Sequence, residues 1–225
     1  MTRPRAIVSW SGGKDSCLAL MRAASTYDVR AMITMFDDAG TRSRSHGLRR
    51  EIIAAQAERL GLRSIVATCS WATYEEAFVG GLEGLADEGF THVIFGDIFE
   101  DAHRAWTERV AARAGLTAVQ PLWNESTASL TREFLTRGGE AIFVTTRDQW
   151  LDRAWLGRQL TSDAIDAFAL LSVDAGGERG EYHTLVTNCP LFDSPLIVEP
   201  GEIVERGGCS AIDLRLPVVA PAAAR

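Results

Sequence analysis

Ser11-Gly12-Gly13-Lys14-Asp15-Ser16 follows a short apolar segment, Ala6 to Trp10, and leads into an apolar periodic stretch, Cys17 to Ala24. Two glycines at a strand-to-helix turn let backbone N–H groups converge on an anion, because no Cβ blocks its approach. The first turn of the helix adds unpaired donors and the positive end of its dipole. Lys14 supplies a mobile positive charge, Ser11 and Ser16 supply hydroxyls, and Asp15 is suited either to orient Mg2+ or to cap the helix. The chemistry implied is phosphate binding. The spacing is not that of a Walker A loop, because only Trp10 and Ser11 precede the glycine pair and Lys14 is followed by Asp15.

Other residue groups add to this. Asp97 ends an apolar run, His92 to Phe95, beside Gly96, where a carboxylate coordinates Mg2+ or a nucleotide hydroxyl; the alternative is an N-cap or Asx-turn. Arg104 and Glu108 are four apart on one helix face and are placed to pair, with His103 expected to be exposed on another face. Glu178, Glu181 and His183 lie among glycines, and strand alternation from Glu181 puts Glu181 and His183 on one face. A carboxylate and an imidazole together can take a proton from ammonium and deliver ammonia; a charged surface hairpin is the alternative. His46 follows the polar segment Asp37 to Ser45, and Arg42, Arg44, Arg49 and Arg50 form a local positive cluster suited to phosphate, an acidic partner or solvent. Trp10 and Trp123 are the tryptophans placed to line a pocket, while Trp106, Trp150 and Trp155 fall on core faces.

The elements that must position these residues alternate. Strands are expected at Ala6–Trp10, Val29–Phe36, Ser64–Thr68, His92–Phe95 and Leu116–Val119, with helices from near Asp15 and over Leu48–Leu60, Tyr74–Asp87 and Ala102–Ala114. This order predicts a Rossmann-like α/β fold whose parallel sheet carries its ligand at the carboxyl ends of the strands, where residues 11–16, 37–46 and 96–104 fall. After Pro121 the rhythm changes. A helix over Thr127–Thr136, a strand over Ala141–Thr145, a helical stretch Leu151–Leu171 broken near Gly157, and short strands at Tyr182–Thr187, Leu196–Val198 and Leu214–Val219 predict a smaller α+β domain. The division is drawn as 1–121, nucleotide-binding, and 122–225, substrate-side, with a fraying Pro/Ala tail over Pro217–Arg225.

The chain of 225 residues is 46% hydrophobic, enough for a substantial core, and carries a formal net charge of -7, which argues against a broad nucleic-acid surface. Cys17, Cys69, Cys189 and Cys209 show no CxxC spacing, so a reducing cytoplasm is expected rather than a zinc site or disulfide framework. No signal peptide or membrane span is expected. Homo-oligomerisation is left open.

The loop resembles that of the PP-loop ATP pyrophosphatases, whose fingerprint is Ser-Gly-Gly-x-Asp-Ser after the first strand. Within them the chain is similar to the diphthine–ammonia ligase family, on residues 11–16, His46, Gly96-Asp97-Ile98 with Glu100, Arg104 and Glu108, Pro121-Leu122-Trp123, and the string Gly177-Glu178-Arg179-Gly180-Glu181-Tyr182-His183-Thr184. The resemblance implies that ATP with Mg2+ is bound by Ser11, Gly12, Gly13, Lys14, Asp15, Ser16, His46, Asp97 and Arg104, with Asp15 and Asp97 as metal ligands. It implies catalysis by Lys14, Asp15, Glu178, Glu181 and His183. The reaction implied is adenylation of a carboxylate, diphthine on elongation factor 2, followed by transfer of ammonia with release of AMP and pyrophosphate. Where relatives carry Asp-Pro-Cys-Gly-Glu, this chain has Asp174-Ala175-Gly176-Gly177-Glu178. Two alternatives stay open: an ATP pyrophosphatase acting on another acid or a tRNA base, and a non-catalytic ATP sensor of the universal-stress type, which has no need of Glu181 and His183.

Overall fold

The computed structural model describes residues 2–218. Its first half alternates as the apolar runs require: β1 (Arg5–Ser9), α1 (Lys14–Ala23), β2 (Asp28–Phe36), α2 (Arg50–Leu60), β3 (Arg63–Thr68), α3 (Tyr74–Leu82), β4 (Phe90–Ile94), α4 (Asp101–Arg113) and β5 (Thr117–Val119). The five strands form one parallel sheet in the order β3-β2-β1-β4-β5. Side chains that alternate along β1 explain why both faces are covered. Ala6 and Val8 face a buried cluster with Leu18, Leu20, Ile52 and Ile53 of α1 and α2, while Ile7 faces another with Phe78, Leu82 and Val110 of α3 and α4. The chain runs outward from β1 to β3 and then returns to place β4 on the other side of β1. The loops after β1 and β4 therefore part at a topological switch point, where a parallel sheet opens a crevice.

The second half comprises α5 (Thr127–Thr136), β6 (Glu140–Arg147), α6 (Ser162–Leu171), β7 (Tyr182–Asn188), β8 (Glu199–Arg206) and β9 (Cys209–Arg215). Its four strands make a separate antiparallel sheet, β7-β6-β9-β8. This half packs on the α1 side: Phe134, Phe143, Tyr182 and Leu185 share one buried cluster with Leu18 and Ile52. Arg22 of α1 reinforces the seam, meeting Glu125 and Glu133.

The second half also differs from the sequence expectation in places. Leu151–Leu160 is not helical beyond a 3₁₀ turn at Arg153–Trp155. The segment after it runs beside β6, with Gly157 and Leu160 donating to the Phe143 and Ala141 carbonyls and Phe143 donating to Arg158. β9 pairs only with Thr145–Arg147, so the earlier part of β6 has free backbone groups that the segment satisfies. Leu196–Val198 is not a strand; β8 begins at Glu199, an edge strand exposed along its whole length. The last strand is Cys209–Arg215, and of the expected tail residues 219–225 lie outside the described range. In the first half, α3 stops at Leu82 because Glu83 leaves helical geometry (ψ 140°) and Gly84 takes φ +78°.

Candidate active site

The loop after β1 has its shape because of its glycines. Gly12 has φ +89°, and a Cβ there would lie 2.5 Å from Leu48 Cδ1. Gly13 has ordinary extended φ, yet its Cβ would lie 2.3 Å from His46 Cε1 and 3.1 Å from the Thr184 carbonyl oxygen. Gly96, after β4, sits so close to the first turn of α1 that a Cβ would be 2.9 Å from the Ser16 nitrogen. Ser11 Oγ lies 3.1 Å from Ser16 Oγ and accepts from the Gly13 N–H, and α1 begins with Gly13 as its N-cap. A Gly13→Ala chain is therefore expected to fold while losing at least about tenfold in nucleotide affinity, read by titration calorimetry, because loop or His46 must shift to admit the methyl.

The segment 174–184 folds over this loop. Thr184 Oγ1 accepts from the Lys14 backbone N–H (3.1 Å), the Gly12 carbonyl accepts from Val186 N–H (2.9 Å), and Lys14 Nζ donates to the Gly176 carbonyl. Lys14 is buried. Its ammonium also meets both Asp15 oxygens, at 2.8 and 3.0 Å, and lies 5.3 Å from the Tyr182 ring centre. Burial alone would lower its pKa, but Asp15, then Tyr182 and Glu178, outweigh it and keep the lysine charged. The altered turn has a structural counterpart. A side chain at Gly176 would come within 2.9 Å of Thr127 Cβ, and Thr127 and Gly176 both bond the Asp174 carboxylate that holds the turn.

A cleft of about 370 Å³ opens where the loops after β1 and β4 meet this segment. Ser11, Lys14, Asp15, Ser16, His46, Asp97, His103 and Trp106 line it from the first half, and Glu178 and His183 from the second. Lys14 is the only lysine or arginine among the lining residues. Burial and the proximity of Asp15 push the Glu178 carboxyl up to about 8, so it is protonated at neutral pH. Burial, then the positive charges of Lys14 and Arg147, pulls His183 down to about 4. His46 stacks on His183 with ring centres 4.5 Å apart, and is also held neutral, by burial first and then by His183 and Lys14. Burial raises Asp97, and His103, 3.5 Å away, opposes the rise.

Glu181 and Arg104 are not brought to the cleft. Glu181 is fully buried and accepts from the backbone N–H groups of Asp174 and Arg179, clamping the turn from inside; it precedes β7, so strand alternation does not apply to it. Arg104 turns outward, pairing with Glu108 at 2.9 Å and covering Trp123 with its guanidinium 5.2 Å from the ring centre. His103 is exposed as expected and also borders the cleft, as does Trp106, which packs against Phe78 and Phe95 as well. Trp10 lines the cleft as expected, and Trp123 does not. Arg42 and Arg49 are engaged by Asp213 of β9, and Arg44 by the Cys69 carbonyl and the Trp71 face, so these three knit the loop 37–49 to its neighbours. Gln56 and Tyr74 carry no motif of their own, yet the first holds the loop and the second lines the cleft.

The described residues contain no group of three or more His, Cys, Asp or Glu side chains able to hold a metal. Asp15 and Asp97, with the Ser11 and Ser16 hydroxyls, supply hard oxygen donors on the first-half side of the cleft. That set fits Mg2+ arriving with a nucleotide, since this ion keeps several waters and takes one or two carboxylates alongside phosphate oxygens.

The family model described as Diphthamide synthase N-terminal domain matches residues 4–118, and that described as Diphthamide synthase C-terminal domain matches residues 126–213. A Schizosaccharomyces pombe protein named Diphthine--ammonia ligase is 27% identical over 218 residues, 87% of this chain. The chain spans only 36% of that relative's length. A Rattus norvegicus protein of the same name is 26% identical over 220 residues, 86% of this chain and 82% of its own. A solved structure described as a predicted subunit of tRNA methyltransferase from Methanocaldococcus jannaschii superposes with a TM-score of 0.43 at 18% identity, covering 83% of this chain and 98% of that one.

Proposed function

Because the chain belongs to the diphthamide synthase family, we propose that it is an ATP-dependent carboxylate–ammonia ligase whose acceptor is diphthine on elongation factor 2. The observation that supports this reading most is the contact of two chemistries: the segment carrying Glu178 and His183 is hydrogen-bonded to the phosphate loop through Thr184 and Gly176. A phosphate site alone would serve a sensor. A phosphate site sharing one cleft with a protonated carboxyl and two neutral imidazoles serves group transfer.

In this reading an acceptor carboxylate oxygen attacks the α-phosphorus, the bond to the bridging oxygen breaks, and pyrophosphate leaves, giving an acyl-adenylate. Lys14 and the N–H groups at the start of α1 stabilise the charge that gathers on the departing oxygens. Mg2+, held by Asp15 and Asp97, would supply further charge neutralisation there. Ammonia then attacks the acyl carbon, AMP leaves with the C–O bonding pair, and the nitrogen loses a proton to His183. Glu178, protonated, donates a hydrogen bond to an anionic oxygen. The loop, Lys14 and the covering segment 174–184 exclude water, which would otherwise hydrolyse the adenylate. We assign residues 1–121 to nucleotide binding and 122–225 to the acceptor and ammonia side, and place the reaction in the cytoplasm. No helix of the described residues is long and apolar enough to cross a membrane.

His183 is too weak a base at about 4 to serve in the free protein, but nucleotide phosphates would favour the imidazolium and raise it. Its titration midpoint, followed by NMR, is expected below about 5 in the free chain and at least about one unit higher with Mg-ATP. The reaction itself is tested with purified protein, ammonium and Mg-ATP labelled at the α-phosphate, with and without elongation factor 2 carrying diphthine. Labelled AMP that requires the acceptor supports the whole reading. AMP formed with a different acid keeps the chemistry and discards the substrate, and tight ATP binding without turnover points to a sensor.

A further inference from the structure

Gln56 lies on α2, away from the cleft, and none of its surface is exposed. A buried amide is costly unless each polar atom is paired, and here each is. Its Oε1 accepts from Trp10 Nε1–H at 2.8 Å, and its Nε2 donates to the Gly12 carbonyl at 3.1 Å and to the Val186 carbonyl at 2.8 Å. Val186 N–H closes the circuit by donating to the same Gly12 carbonyl. One planar side chain thus ties three segments together: the indole of Trp10 just after β1, the backbone of the loop at Gly12 and the backbone of β7 at Val186. Lys14 lies two residues beyond Gly12, and His183 three residues before Val186.

Packing alone does not call for glutamine, since an apolar side chain of similar size would fill this space, but it would take this partner from the Trp10 indole N–H and from the Gly12 and Val186 carbonyls. What the amide adds is register, because its oxygen and nitrogen are a fixed distance apart and each meets a different chain segment. Misplacement of reacting groups by about 1 Å costs on the order of a hundredfold in rate.

We infer that Gln56 is a positioning residue that holds the phosphate loop in register with β7, and so couples adenylation at the loop to ammonia attack beside His183. The inference rests on the ligase reading, since it assigns the two half-reactions to the loop and the strand that Gln56 joins. In the wild-type chain, saturation with Mg2+ and α,β-methylene-ATP should slow hydrogen exchange both in residues 11–16 and in 182–188. In Gln56→Leu the loop should still be protected, with nucleotide affinity within about fivefold of wild type, while the added protection of β7 falls at least about tenfold. Gln56→Glu keeps the volume and the acceptor for Trp10 but loses both donors, and should behave likewise. With diphthine-bearing elongation factor 2 and ammonium, the ratio of AMP to amide should be near one for wild type and rise at least about fivefold in either variant, as the adenylate is lost to water. A purely structural defect would lower both products together. Protection of the loop without β7 in the wild type, or an unchanged AMP to amide ratio in a folded variant, would overturn the inference and leave the ligase reading standing. Failure of the wild-type chain to bind nucleotide at all would overturn both.

Discussion

Lys14→Met is expected to lower AMP formation by about 10²–10³-fold while leaving the fold in place. The size follows from its isolation: no other lysine or arginine lines the cleft, and the carboxylates of Asp15 and Asp97 share it. In the free protein Lys14 Nζ is engaged by Asp15 and the Gly176 carbonyl, so it neutralises the loop before any nucleotide arrives. Removing it leaves an acidic cleft to receive polyanionic phosphates, and both binding and the leaving pyrophosphate suffer. Methionine retains the contact with the Tyr182 face, so the variant's melting temperature should stay within a few degrees of wild type. Single-turnover assays with α-labelled Mg-ATP measure the loss; wild-type rates from a folded Lys14→Met chain would remove Lys14 from the chemistry.

How far such a site is legible in a sequence depends on whether its residues are used through their type or through their direction. The parallel sheet was readable because Ile7, Val8, Ile33 and Val93 are buried between helix layers, which forces continuous apolar runs bounded by Gly and Asp. The shape of the loop after β1 was readable because glycine is demanded at Gly12 by φ and at Gly13 by the crowding of His46. β8 was not, since an exposed edge strand buries nothing and so imposes no alternation. Nor was the path of 156–160, which is held by backbone groups common to every residue.

Direction is what the site residues lacked. Glu178 and Glu181 are the same residue type three positions apart, and only the turn, with φ +72° at Gly177 and +78° at Gly180, sends one into the cleft and the other back onto the amides of Asp174 and Arg179. His103 and Arg104 are neighbours on α4, and the phase of that helix against β4 decided which reaches Asp97. Gln56 gave no signal because a buried glutamine on an otherwise amphipathic helix reads as a solvent-facing position until its partners, 44 to 130 residues away, are known.

Glu178→Gln tests the carboxyl that the turn delivers, and its effect is expected in the pH dependence. The folded-state pKa is about 8 against about 4.3 in an unfolded chain, so between these values the folded protein binds the extra proton. Stability contributed by this group is therefore complete below about pH 4, falls as pH rises, and levels off above about 8. Glutamine stays neutral throughout, so Glu178→Gln should be more stable than wild type at pH 9, on the order of 5 kcal/mol, and nearly equal to it at pH 4. Activity should follow the same sign. In the wild type kcat/KM for ATP should fall as pH passes about 8, because the new carboxylate would join Asp15 and Asp97 in repelling phosphate. The variant keeps a neutral donor at that position, so its alkaline limb should flatten while its rate at pH 7 stays within about tenfold of wild type. Chemical denaturation across pH 4–9 and initial rates at a fixed concentration of free ammonia measure the two effects. Parallel pH profiles for wild type and variant would mean that Glu178 is ionised at neutral pH, and the hydrogen-bond donor in the cleft would have to be sought elsewhere.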